Sequence, residues 1–177
     1  KYTKCYLSRK ADELKVNLLE LEIPEIEEGT IEIKQIAREA GSRTKVAVYS
    51  EDKNLDVKGA CIGKNGMRIQ SIIDELRGEK IDIVLWDEDM KVFVKNALNP
   101  AEVLSVDIIE GEEGEDKEKE KVARVVVAED QLSLAIGKKG QNVRLAVELT
   151  HWAIDIKGIT EFKEMLENKK EIMSRLD

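Results

Sequence analysis

Ile62-Gly63-Lys64-Asn65-Gly66-Met67-Arg68-Ile69 and, 74 positions further on, Ile136-Gly137-Lys138-Lys139-Gly140-Gln141-Asn142-Val143 share the pattern I-G-K-x-G-x-x-[IV]. Each is an apolar residue, a four-residue turn with glycine at both ends and lysine inside, and the start of an apolar helical run. Glycine has no Cβ to hold a ligand away, and N–H groups at a helix start point at negative charge, so such a turn can approach a phosphate closely. Its duplication points to one long polymeric ligand gripped twice.

Outward from the turns the likeness continues. Leu76-Arg77-Gly78-Glu79-Lys80-Ile81-Asp82-Ile83 corresponds to Leu149-Thr150-His151-Trp152-Ala153-Ile154-Asp155-Ile156 at an offset of 73, one residue less than the offset of the turns. Upstream of each turn, Thr44–Tyr49 and Val122–Val127 are β-branched runs of strand length. Val103–Ile109 predicts another strand, and so does Ile31–Arg38, although Ile33, Ile36, Ala37 and Ala40 also suit a helix. Leu14, Leu18 and Leu21 fall at i, i+4, i+7 behind a possible start at Ser8, and Val92–Leu98 repeats a helical pattern that Asn99-Pro100 ends. Each half then reads helix, strand, strand, helix, turn, helix, strand. From Thr160 onward Phe162, Met165, Leu166, Ile172, Met173 and Leu176 form the stripe of an amphipathic helix, packed on the second half or leading toward a downstream part. Lys1–Leu7 alternates like an orphan strand, and a chain opening without methionine is expected to be a cut piece. Few flexible residues lie between Asp87 and Pro100, so a fixed orientation of the halves and one continuous ligand track are expected.

Hydrophobic residues make up 42% of the 177 and charged residues 37%, which suits two small, highly charged folded units. No apolar run approaches the roughly 18 to 20 residues of a membrane span, and no basic-then-apolar leader is present, so the expectation is a cytoplasmic protein without a membrane partner. Cys5, Cys61 and the single His151 cannot furnish a zinc quartet, a disulfide framework or a nucleophile with its base. Walker spacing is absent too, so no catalysis, metal or cofactor is expected; Cys61 reads as a packing residue and His151 as structural. The net charge of −8 is unevenly placed. Acids crowd Glu20, Glu22, Glu25, Glu27, Glu28 and Glu32, and Glu110–Lys121 sets seven acids against three lysines in what reads as a solvated loop. Near the turns Lys58, Lys64, Arg68, Arg77 and Lys80, then Lys138, Lys139, Arg144 and Lys157, reverse the sign. Such a chain binds a polyanion at chosen places and repels it elsewhere.

Ile-Gly-x-x-Gly-x-x-Ile/Val between helices, after two strands and before a third, resembles the KH domain in its prokaryotic, type II arrangement. The resemblance implies an α+β fold of two tandem domains, each α-β-β-α-α-β with a three-stranded sheet packed on helices, each clamping about four nucleotides of single strand with its turn. Leu18–Ile26, Ile36–Gly41, Gly59–Gly63, Glu75–Ile83 and Gln131–Lys138 resemble the NusA family of bacterial transcription factors, a likeness running from Leu18 to Gly158. Lys1–Ser8 is similar to the last strand of the OB-type RNA-binding barrel that precedes the KH pair in that family. The resemblance implies a first domain over residues 9–86, a second over 87–158, a helical tail over 159–177 and a barrel strand over 1–8. It also implies a monomer that binds single-stranded RNA, a nascent transcript such as a ribosomal-operon leader. Its role would lie in pausing, termination and antitermination, with RNA polymerase engaged through other parts of the parent protein.

On this reading Gly63, Gly66, Gly137 and Gly140 admit the sugar-phosphate backbone, Lys64, Lys138 and Lys139 contact phosphates, and Asn65 and Asn142 belong to the same surface. Ile62 and Ile69, and Ile136 and Val143, either line an aliphatic groove for bases or serve only as core. Arg68 and Arg144 either contact phosphate or pair with a glutamate. Strand edges at Val46–Val48 and Arg124–Val126 would add polar contacts to bases. Aromatic residues are only 4% and none flanks a turn, which argues against stacking platforms and makes Trp86 and Trp152 packing residues. The alternatives are a ribosomal or ribosome-assembly type II KH protein, a protein-docking scaffold with idle turns, and an enzyme using the turns for nucleotide phosphates.

Overall fold

The computed structural model describes residues 12–113 and 119–176. The expected strand at Lys1–Ser8, the helix start at Ser8 and the centre of the acidic stretch lie outside the described residues. The chain forms two compact units that divide between Trp86 and Asp87. In the first, α1 (Asp12–Glu22) and a short α2 (Pro24–Glu27) precede β1 (Glu32–Glu39) and β2 (Arg43–Tyr49). Then come α3 (Val57–Ile62), the first turn, α4 (Met67–Glu75) and β3 (Lys80–Leu85). The second unit runs α5 (Met90–Ala97), β4 (Val103–Glu113), β5 (Lys119–Val127), α6 (Glu129–Ile136), the second turn, α7 (Gln141–Thr150) and β6 (Ala153–Gly158), followed by α8 (Ile159–Leu176).

Each unit holds one three-stranded sheet, in the orders β1-β2-β3 and β4-β5-β6. The first pair of each is antiparallel and the second parallel, because two helices carry the chain back before the third strand forms. The α+β expectation of two such units holds. The stretch expected as Ile31–Arg38 resolves as strand over Glu32–Glu39, and its helical look has a cause. A bulge between Ile33 and Gln35 sets Ile33 opposite Val48 and Ile36 opposite Val46, so two residues three apart share one face.

Three expectations need correction. Glu110–Lys121 is not wholly a loop: β4 and β5 run on to Glu113 and Lys119, with Glu110 opposite Lys121 and Glu113 opposite Lys119 in the backbone register. On α1, Leu21 is 77% exposed while Lys15 and Leu19 are buried, so the inward face is rotated from the one the leucine spacing predicted. Finally, Val46–Val48 and Arg124–Val126 lie on β2 and β5, the central strands, whose backbone groups pair on both sides. They present no free edge to a base.

In the first unit Leu19, Ile23, Ile31, Val46, Val48, Ile72 and Ile83 form the centre of the core, each worth about 1.5–3 kcal/mol of burial. In the second, α5 packs on α7 and β4, so the stretch after Asp87 is part of that unit rather than a connector. Charge is buried as well. Asp82 takes two bonds from Arg43, at 2.7 and 3.0 Å, and one from the buried Lys45 at 3.0 Å. The corresponding Asp155 stands opposite Arg124 in register, 3.8 Å from its Nε. No helix among the described residues is long and apolar enough to cross a membrane, and no cluster of His, Cys, Asp and Glu there could hold a metal ion.

Candidate nucleic-acid interface

The two turns have the same backbone. Gly63, Asn65 and Gly66 have φ of 78°, 54° and 73°; Gly137, Lys139 and Gly140 have 79°, 54° and 74°. In each, the second glycine's N–H donates to the first glycine's carbonyl at 3.1 Å, closing the turn. The second glycine is also the N-cap of the next helix and has no side chain to cap it, so the N-terminal partial charge of α4 and α7 faces outward. Lys64, Asn65, Lys138 and Lys139 are exposed around it.

Glycine is required at the first turn position for two reasons. A positive φ disfavours other residues, and a Cβ on Gly63 would lie 2.7 Å from Arg68 Cγ, while one on Gly137 would lie 2.7 Å from the Asn142 nitrogen. The second residue after each turn, Arg68 or Asn142, is thus packed tightly beneath that turn's first glycine. Arg68 NH1 donates to the Ala60 carbonyl at 2.7 Å and to Glu25 Oε2 at 2.9 Å. Of the two roles open to it, pairing is the one seen, with a partner on α2. Asn142 is buried, and its Nδ2 donates to the carbonyls of Ala135 and Leu98 at 3.0 Å each. Its expected place on the RNA-facing surface is therefore corrected: the amide is turned into the unit. Arg144 NH1 donates to the Lys139 carbonyl at 3.0 Å and stays at the exposed rim of the second turn.

Of the four aliphatics, Ile136 is 38% exposed and Ile62, Ile69 and Val143 are half-buried. Sequence reasoning missed Met67, 69% exposed at the first position of α4, and Leu134, 43% exposed on α6. Their signal was proximity to the turns alone. It also missed Glu25, whose part depends on a contact 43 residues away. Cys61 is buried, and burial pushes its thiol up to about 11, which keeps it protonated and unreactive at neutral pH. Trp86 packs edge-on against Tyr49 with ring centroids 5.3 Å apart, and His151 ends α7 in the left-handed region with its N–H on the Val147 carbonyl.

Lysine is a poor fit to the left-handed conformation, which Asn65 occupies at ease in the other turn; such strain costs about 1–2 kcal/mol and gathers at functional sites. Lys139→Asn is expected to raise the melting temperature of the chain by a few degrees while weakening polyanion binding. Thermal unfolding paired with a binding titration checks it; a lower melting temperature would remove the strain from the account.

An α-β-β-α-α-β unit with a mixed three-stranded sheet and a Gly-x-x-Gly turn between its last two helices is a type II KH domain, and this chain has two. Residues 9–86 match the NusA-like first KH domain and residues 90–164 the NusA-like second KH domain. The chain belongs to this NusA-like tandem KH family. It is 50% identical over 159 residues to the transcription termination/antitermination protein NusA of Halalkalibacterium halodurans, covering 90% of this chain and 40% of that protein. It is likewise 50% identical to NusA of Bacillus subtilis, over 90% of this chain and 41% of that one. Against NusA of Borreliella burgdorferi the identity is 52%, over 97% and 35%. The chain thus spans about two fifths of the length of these relatives. A solved structure titled "Crystal structure of APE1850" shares the fold with a TM-score of 0.56 at 22% identity, covering 81% of this chain and 96% of that one.

Proposed function

We propose that this chain is a non-catalytic module that holds one single-stranded RNA with both turns, as part of a cytoplasmic bacterial factor acting in pausing, termination and antitermination. The observation that carries this reading is the repetition of one backbone conformation, to within a few degrees, at two glycine turns that each set exposed lysine beside an uncapped helix start. The relatives' names supply the transcriptional setting. The site comprises Gly63, Lys64, Asn65 and Gly66 with Ile62 and Ile69, and Gly137, Lys138, Lys139 and Gly140 with Ile136, Val143 and Arg144. Residues 9–86 and 87–158 are the two RNA-binding domains, 159–177 a tail. RNA polymerase is engaged through other parts of the parent protein, the transcript is of the ribosomal-leader kind, and the module acts as a monomer.

Two tethered sites on one strand gain avidity, roughly 10² to 10⁴ over one site, once the strand spans both. Titrating single-stranded RNA of increasing length, at several salt concentrations, should therefore show a steep gain between about four and about ten nucleotides. Affinity that does not change over that range would sink the shared ligand. An intact chain that binds no single strand of any length would leave the docking scaffold as the better reading.

A further inference from the structure

The residue five places after each turn's first glycine behaves alike in both units, although its chemistry differs. Arg68 reaches back 8 residues to the Ala60 carbonyl and 43 residues to Glu25. Asn142 reaches back 7 residues to the Ala135 carbonyl and 44 residues to the Leu98 carbonyl. Each therefore joins the last turn of the helix before the turn, the helix after it, and a point near the first helices of its own unit. Each also lies directly under the first glycine, where a Cβ would collide with it. Repetition of the same three-way tie at the same place, by a cation in one unit and an amide in the other, means that the geometry of the tie is retained while the charge is not.

We infer that Arg68 and Asn142 are positioning residues, braces that hold the two helices at the angle presenting the turn, and that Glu25 is the anchor of the first brace. This rests on the RNA-binding reading above. Arg68 is then not a phosphate ligand, despite its charge and its place beside the turn. The two braces also differ in kind. Asn142 is buried and neutral, whereas the Arg68 and Glu25 side chains are charged and about one third exposed.

The test uses the full chain with Lys138→Asp and Lys139→Asp, so that the first turn reports, and a single-stranded RNA of about ten nucleotides as probe. In that background Glu25→Gln is expected to lower affinity about three- to tenfold, as a preorganised site loosens, with the slope of affinity against salt unchanged. Arg68→Gln is expected to lower affinity with the slope again unchanged, whereas Lys64→Gln flattens it by about 0.7, the loss of one phosphate contact on a single strand. Amide hydrogen exchange of Gly63 and Gly66, whose N–H groups donate to the Gly59 and Gly63 carbonyls, should quicken in the RNA-free Glu25→Gln chain while its melting temperature barely moves. Higher affinity and a steeper slope in Glu25→Gln would show that Glu25 withholds Arg68 from phosphate, and would overturn the brace. Unchanged exchange and affinity would overturn it as well. The exchange measurement needs no RNA, so the brace can fail while RNA binding stands; a parent chain that binds no RNA defeats the functional reading instead.

Discussion

Glu79→Ala is expected to cost the first unit about 3–5 kcal/mol, because it removes the buried carboxylate to which Lys15 and Arg38 are both tied. Glu79 Oε2 lies 2.8 Å from Lys15 Nζ on α1, and Oε1 accepts from Arg38 Nε at 3.1 Å and from the Gly41 N–H at 2.7 Å. The Glu79 side chain is fully buried and that of Lys15 nearly so. Burial pushes the carboxyl up, but the bonds from Lys15, Gly41 and Arg38 together outweigh it and hold the group below the usual carboxylate range. A depressed native carboxylate adds stability above its unfolded pKa, about 4.3, and loses it as pH falls through the native value. Asp82, where the bonds from Arg43 and Lys45 outweigh burial, adds a second contribution of the same sign. The chain should therefore weaken as pH falls below about 4.3, and Glu79→Ala should flatten that dependence without removing it. Urea unfolding against pH, followed by Trp86 emission with Trp152→Phe, measures both; a loss under about 1 kcal/mol at neutral pH would show that the cations relax into water.

That carboxylate also explains a feature visible in the bare sequence. The repeat has an offset of 74 at the turns and 73 at the last strand. Arg77 and His151, both with φ of 58°, keep the offset of 74, so the lost residue falls after them and not before Leu76, which corrects the pairing of Leu76 with Leu149 read from the sequence. The first unit has Gly78-Glu79 there and the second only Trp152. The sequence showed that a residue was missing; only the packing shows that the first unit uses the extra space to insert a buried charge.

Elements with strong local patterns were legible in this way. The β-branched runs of β2 and β5, the turns and the helices after them follow from spacing and glycine placement, which act over a few residues. What escaped was set by distant contacts. Lys15 lies on the inward face of α1 because Glu79 is there to meet it, and a leucine count cannot know that. Leu21 stays exposed for the same reason. At the site, the exposed lysines and glycines were readable from the motif, while Asn142 looked like a surface amide until Leu98 and Ala135 were brought to it by the fold.

The largest effect on binding is expected from reversing charge at a turn. Lys138→Asp with Lys139→Asp alters the local charge by four units, and Lys64→Asp with Asn65→Asp by three. Either pair should lower affinity for a spanning single strand about a hundredfold or more, since it removes phosphate contacts, adds repulsion and forfeits the tethered second site. Folding should survive, and the backbone says why. Asn65 and Lys139 sit at φ of 54°, a conformation that aspartate tolerates, and all four side chains are exposed. The slope of affinity against salt should flatten along with the loss, which distinguishes lost phosphate contacts from a damaged groove. The two turns should differ in one respect. Around the first, Arg68 is engaged with Glu25 and Ser71 with Glu22, so Lys64 carries most of the attraction. Around the second, Lys138 and Lys139 stand together with Arg144 at the rim. The second pair of substitutions, at Lys138 and Lys139, should therefore cause the greater loss and the greater flattening. Equal losses with unchanged slopes would mean that groove contacts rather than these cations hold the strand.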